Sequence, residues 1–353
     1  MSAANHSPAA ATSERSPLLG SKSTTSSDAP EHGKGSPRIA DEKTRVPQTI
    51  AHRGFSAIAP ENSMAAFEAA AAAGVEAIET DLHLTRDDVI VLSHDGTLQR
   101  CFGNSTKVRD LTWTEISQFR TVEAPHQPML RLVDLLEFLD QPGREDIWLM
   151  LDIKTDDDPE RMMQRIAQTL ASAPGKKPWN TRITPCCWNA TYIKYSMKYL
   201  PEYRVTHLGF SIMYARCLVD IPNISFSLMR QTLATPLGAR FLRDMKQLGI
   251  PVYAWTLDEE KWMEWAVLTE EVSGVITDEI DLYHQTCDRI RNGGAHELSM
   301  RNRGRASGSN SLFRTVRLWG GMAWFQLLVV FYMTKEWLKY GSPSRRVKKA
   351  LSE

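Results

Sequence analysis

Ile147-Trp148-Leu149-Met150-Leu151-Asp152-Ile153-Lys154 is an apolar run that closes on an acid and a base two positions apart. Its length and composition read as a buried strand of a parallel sheet. Side chains alternate along a strand, so Asp152 and Lys154 point the same way. Ala77-Ile78-Glu79-Thr80-Asp81-Leu82 repeats the device with two acids, Glu79 and Asp81, on one face. Like charges buried together cost roughly several kcal/mol, or protonate, unless a cation sits between them. Metal-assisted phosphate chemistry is the economical reading.

Outward from these strands, short apolar runs alternate with helical patterns from residue 49 to about 290. Parallel strands joined by crossover helices follow. Eight runs qualify, at 49–54, 77–82, 147–154, 183–188, 205–211, 224–228, 252–257 and 274–278, and they predict an α/β fold, a (β/α)8 TIM barrel. Residues 89–95 look like a ninth strand, but only a few residues around Arg86-Asp87-Asp88 precede it. That is too short for a parallel crossover, so this segment must be a hairpin return that brings His94 back to the barrel mouth. Barrel enzymes place their chemistry at the C-terminal ends of the strands, where His52, Glu79, Asp81, Asp152, Lys154 and Trp255 also fall. Two outer helices are legible: 63–74, with Ser63 near its start and Gly74 at its end, and 159–172, with Asp158 as N-cap before Pro159.

The domain plan is a disordered tail at 1–46, the barrel at 47–290, a basic linker at 291–311, a hydrophobic membrane-anchor helix at 312–340 and a basic C-terminal tail at 341–353. The N-terminal tail is rich in Ser, Thr, Pro and Ala and poor in residues to bury. Within it, Glu14-Arg15-Ser16-Pro17-Leu18-Leu19 resembles an acidic dileucine sorting signal, with a chance leucine pair as the alternative. Residues 318–334 carry no formal charge, and at about 1.5 Å per residue they reach only some 25 Å, which spans a bilayer marginally or inserts partway. Trp319, Trp324 and Trp337 suit an interface, and basic residues flank both ends. The rival reading is a soluble helix covering the barrel's base. A formal net charge of zero gives no global field to recruit nucleic acid. Five cysteines without zinc-type spacing fit a reducing, intracellular compartment.

Glu79, Asp81 and Asp152 offer only hard oxygen donors, which favours one divalent cation, Mg2+ or Ca2+. Arg53 and Lys154 would neutralise a phosphodiester, Arg53 as a fork and Lys154 as a point charge. His52 and His94 suit general acid and base, with the assignment between them open. Trp255 walls the substrate pocket or simply packs at the barrel top.

Ala51-His52-Arg53-Gly54, Pro60-Glu61-Asn62-Ser63, Glu79-Thr80-Asp81, His94-Asp95, Asp152-Ile153-Lys154 and Trp255-Thr256 together resemble the glycerophosphodiester phosphodiesterase family, from about residue 49 to 281. The family pattern is His-Arg-Gly, Pro-Glu-Asn-Thr, Glu-x-Asp, His-Asp, Glu-x-Lys and a late Trp-Thr. Here Ser63 replaces Thr and Asp152 replaces Glu. The resemblance implies a barrel-fold phosphoric diester hydrolase with Glu61 near the site, bracing Arg53 or the helix start. It also suggests attack by the substrate glycerol's own 2-hydroxyl, then hydrolysis of a cyclic phosphate.

Barrel size, the 149–154 run, Cys186-Cys187-Trp188 and the tail resemble the fungal phosphatidylglycerol phospholipase C branch of this family. That branch implies cleavage of phosphatidylglycerol to diacylglycerol and glycerol 3-phosphate at a membrane surface. The rivals are a phosphodiesterase for soluble glycerophosphodiesters or lysophospholipids, and a catalytically silent membrane lipid-binding module. The expected location is the endoplasmic reticulum, the mitochondrial outer surface or a lipid droplet, with a vacuolar route through the dileucine-like motif.

Overall fold

The 147–154 stretch forms β4 (Trp148–Ile153), buried at every position. β4 pairs in parallel with β2 (Ala77–Leu84) on one side and β5 (Ile183–Cys187) on the other. β6 (Val205–Gly209), β7 (Ile224–Met229), β8 (Val252–Trp255) and β9 (Gly274–Thr277) continue the sheet, and β1 (Gln48–His52) pairs with both β9 and β2. The eight parallel strands therefore close into the expected barrel, as described by a computed structural model for residues 46–173, 175–294 and 342–352.

β3 (Ile90–Leu92) is the ninth strand and returns antiparallel on the far end of β2, with Leu82 opposite Leu92 and Leu84 opposite Ile90. Between β3 and the helix at Leu132–Leu139, residues 93–131 build a small insertion whose Leu98, Val108, Ile116 and Met129 pack together on Val91 of β3. That cluster gives the loop bearing His94 a packed support.

The helices are α1 (Met64–Ala72), α2 (Gln99–Phe102), α3 (Trp113–Ile116), α4 (Leu132–Leu139), α5 (Pro159–Ser172), α6 (Ala190–Tyr199), α7 (Ile212–Arg216), α8 (Arg230–Leu233), α9 (Pro236–Gln247), α10 (Glu260–Val267), α11 (Ile280–Arg289) and α12 (Pro343–Ser352). Ser63 caps α1 and Asp158 caps α5, each accepting a backbone N–H three residues on. The main core lies between strands and helices, with Phe67, Leu151, Phe226 and Phe241 among its members. A second core of Ile50, Ala77, Trp148, Met150, Tyr253 and Ile276 forms a separate cluster on the other face of the strands, inside the barrel. Below the mouth, Thr184, Thr206 and Ser225 form a hydroxyl ladder at 2.9 and 2.7 Å, closed by the carbonyls of Arg204 and Val205.

The expected N-terminal tail through residue 45, most of the linker and the hydrophobic segment lie outside the described residues. Among the described residues no helix is long and apolar enough to cross a membrane. The basic tail at 341–353 contains α12, a helix packed on α6 and α7 through buried Val347 and half-buried Ala350. The dense charge of Arg345, Arg346, Lys348 and Lys349 masks this i, i+3 apolar pair in the sequence. All five cysteines are unpaired.

Candidate active site

Strand register assembles the site. His52 lies beside Glu79 in the β1–β2 pair, and Asp81 lies beside Asp152 in the β2–β4 pair. Carboxylate oxygens of Glu79, Asp81 and Asp152 fall within 4.8 Å of one another, and all three residues are buried. Lys154 Nζ sits 2.5 Å from both Asp81 Oδ1 and Asp152 Oδ2. Trp188 Nε1 donates to Asp152 Oδ1 at 2.8 Å, and Asn62 Nδ2 donates to Asp81 Oδ2 at 2.9 Å.

The turn after β1 is backbone-strained: Arg53 has φ 58° and Gly54 φ 84°. A side chain at Gly54 would press within 2.9 Å of the Ala66 backbone, so only glycine lets the turn lie on α1. The strain aims Arg53 at the acids, with Nε 3.2 Å from Asp81 Oδ2 and Nη1 3.2 Å from Glu61 Oε1.

Burial opposes charge on both Asp81 and Glu79, with unequal results. Lys154 and then Arg53 hold Asp81 well below the usual carboxylate range. Glu79 is pushed up to about 8 by burial and then by the charge of Asp81. It has no lysine or arginine side chain in ion-pair contact among the described residues, and His52 Nε2 stands 4.0 Å away. Asp152 is raised by burial, which Lys154 only partly offsets. Three acids with one left uncompensated are a donor set short of a cation. The carboxylate chemistry fits a divalent cation at Glu79, Asp81 and Asp152.

His52 Nδ1 lies 2.7 Å from Asp278 Oδ1, and Ser56 Oγ donates to the same oxygen at 2.7 Å. Burial lowers the His52 pKa, but the Asp278 hydrogen bond and then Glu79 more than reverse it, leaving it raised. His94 Nδ1 is held in the same fashion by Asp95 Oδ1 at 2.8 Å. Each imidazole thus has one nitrogen fixed and leaves Nε2 for chemistry.

A cavity of about 130 Å³ opens here, lined by the polar His52, Arg53, Glu79, His94, Asp152 and Lys154 and by the apolar Met150, Trp188, Leu208 and Trp255. Asp81 lies beneath it, 1% exposed. Glu61 does not line it and instead braces Arg53 and Arg100. The structure therefore gathers His52, His94, Arg53, Lys154, Trp255 and the acidic triad at one mouth. Trp255 stands edge-on to Trp188 at 6.0 Å, as a wall. A larger, shallow recess near Asp88, Arg161 and Arg165 is bound up in ion pairs on the outer surface.

Sequence reasoning gave no site role to Asp278, Asn62, Trp188 or Arg100, although Asn62 and Trp188 stand in the quoted motifs. Asp278 had a usable signal: it directly follows the last strand, at the same end as the other site residues.

A parallel barrel with an acidic triad, a basic pair and two oriented imidazoles at its C-terminal rim defines a class, the metal-dependent phosphodiesterases. The chain belongs to the glycerophosphoryl diester phosphodiesterase family, whose model matches residues 52–282, and it is a phosphoric diester hydrolase. It is 26% identical over 251 residues to a glycerophosphodiester phosphodiesterase of Caldanaerobacter subterraneus subsp. tengcongensis, covering 69% of this chain and 98% of that protein. A shorter stretch of 70 residues is 40% identical to lysophospholipase D GDPD1 of Rattus norvegicus, 20% of this chain and 22% of that one. The fold matches a crystal structure of a putative glycerophosphoryl diester phosphodiesterase from Silicibacter pomeroyi, at TM-score 0.61 and 19% identity over 69% of this chain and 94% of that one. It also matches an Oleispira antarctica phosphodiesterase in complex with the product sn-glycerol-3-phosphate, at TM-score 0.59 and 19% identity over 70% and 99%.

Proposed function

We propose that this chain hydrolyses glycerophospholipid head groups, with phosphatidylglycerol as the membrane substrate and diacylglycerol and glycerol 3-phosphate as products. The observation that carries the reading is the convergence of His52, Arg53, Glu79 and Asp152 on one small cavity. About 130 Å³ is on the scale of a phosphorylated three-carbon polyol.

One divalent cation, Mg2+ or Ca2+, held by Glu79, Asp81 and Asp152, would supply charge neutralisation at the phosphoryl oxygens. Arg53 grips the phosphodiester, and Lys154 adds a second positive charge. His52 takes the proton of the glycerol 2-hydroxyl as its oxygen bonds to phosphorus, and Asp278 stabilises the resulting imidazolium. The bond from phosphorus to the leaving alcohol breaks, and His94 donates the proton to that oxygen. Water then opens the cyclic phosphate with the two roles exchanged. Trp188 and Trp255 exclude water from one side.

Similarity to a lysophospholipase D supports a second reading, in which soluble glycerophosphodiesters or single-chain lipids are the substrates. Membrane association through residues 318–334, at the endoplasmic reticulum, mitochondrial outer surface or lipid droplet, belongs to the first reading. Recovery of the intact chain in a salt-washed soluble fraction would defeat it.

The test is a panel of phosphatidylglycerol vesicles, glycerophosphocholine and lysophosphatidylcholine, with and without chelator. Lipid cleavage that survives both His52→Ala and metal removal would sink the mechanism.

A further inference from the structure

Arg100 is half-exposed, in the four-residue helix α2, and does not line the cavity. Its two terminal nitrogens donate to both oxygens of Glu61, at 2.6 and 2.8 Å, and its Nε donates to Asp95 Oδ2 at 2.8 Å. Glu61 in turn accepts from Arg53, and Asp95 holds His94. The result is an unbroken series, Arg53, Glu61, Arg100, Asp95, His94. Its two ends face the cavity and its three middle members do not.

The two ends belong to different parts of the fold. Arg53 stands on the turn after β1, while His94 rides on the insertion that follows β3. Separate packing supports each, because the insertion's apolar cluster on β3 is distinct from the main core. The fork of Arg100 joins them beside the reacting centre.

Magnitude decides what such a clasp is for. Half-exposed ion pairs contribute roughly 0–1 kcal/mol to stability, so folding gains little from it. A guanidinium that engages two carboxylates through three N–H groups instead fixes direction, which an ammonium cannot reproduce. We propose that Arg100 is a positioning residue: it sets the placement of the His94 imidazole relative to the Arg53 guanidinium, and so the alignment of proton donor and phosphodiester. The inference rests on the functional reading above.

Arg100→Met and Arg100→Lys test it in the full chain. With glycerophosphocholine and saturating metal, both variants are expected to lose about 10- to 100-fold in kcat, with a smaller change in KM and a melting temperature within a few degrees of the parent. Arg100→Met combined with Glu61→Gln should cost little more than the larger single loss, because both cut one series. Full rescue by lysine would show that charge alone suffices and would overturn the proposal, as would an unchanged kcat or a loss that merely tracks unfolding.

A second readout needs no turnover. The Nδ1 proton of His94, assigned with His94→Gln, should give a protected downfield resonance in the parent that broadens in Arg100→Met. Persistence of that signal counts against positioning. Failure of the parent to cleave any phosphodiester, with the resonance behaving as expected, would sink the functional reading and leave the clasp standing.

Discussion

Around the mouth, the side that runs from β9 through β1 and β2 to β4 and the side that runs from β5 to β8 are built by opposite rules. On the first, Arg53, Glu61, Asp81, Asp152 and Lys154 are stitched into one network, and Glu79 alone is left without a strong ion partner among the described residues. On the second, Trp188, Leu208, Ser227 and Trp255 offer an apolar wall in which Ser227 Oγ and Trp255 Nε1 are buried without a hydrogen-bond partner among the described residues. The contrast separates labour: charge is concentrated where phosphate must be held, and the opposite wall is kept free of charges that would compete for it. Substitutions on the first side should therefore cost catalysis, and those on the second should cost stability or nothing.

The sharpest way to break that contrast is Asp278→Asn, which keeps the shape but removes the charge that fixes the His52 tautomer and stabilises its protonated form. A loss of about 100- to 10,000-fold in kcat is expected, with KM little changed. If kcat fell less than tenfold, the role of His52 as proton carrier would be wrong.

Next in size is a stability effect on the apolar side. His207 in β6 is fully buried among Tyr214 and Phe226, and burial lowers its pKa to about 4. Its folded value lies below the unfolded one, so the unfolded chain binds the extra proton first. The stability due to neutral His207 is complete above pH 6.5 and drains away as pH falls toward 4. That is about 3 kcal/mol, roughly a few hundred-fold in the folding equilibrium. Denaturant melts of the parent and His207→Gln between pH 7 and 4 should diverge by that amount, and parallel curves would refute the assignment.

Trp188 belongs to both sides, since its ring walls the cavity while its N–H holds Asp152. Trp188→Phe keeps the ring and should weaken divalent-cation affinity by about 10- to 100-fold, read by calorimetry. An unchanged affinity would confine Trp188 to the wall. Smallest of all is Ser227→Ala, which removes an orphaned hydroxyl from a fully buried position. Activity should stay within about threefold, and the melting temperature should hold or rise. A large loss would reveal a polar contact on the side assigned to apolar packing.

What the chain discloses on paper follows the range of each interaction. Glu79, Asp81, Asp152 and Lys154 were legible because a two-residue period places their side chains, and the register only had to bring two strands together. The hairpin return of β3 was legible from the length of its connection, although β2 runs two residues further than its apolar pattern ends. Asp278 was hidden because its partner lies 226 residues away, and its place directly after the last strand was its one local sign. Arg100 sits on a four-residue helix too short to show periodicity, 39 residues from Glu61. The helix α12 was read as a charged tail because a single buried Val347 anchors it.

That last helix reaches beyond its own ten residues. α12 lies on α6 and α7, the helices that follow β5 and β6, and its Val347 joins the main core there. A charge placed at Val347 would therefore be felt under two barrel helices, far in sequence from the strands they cover.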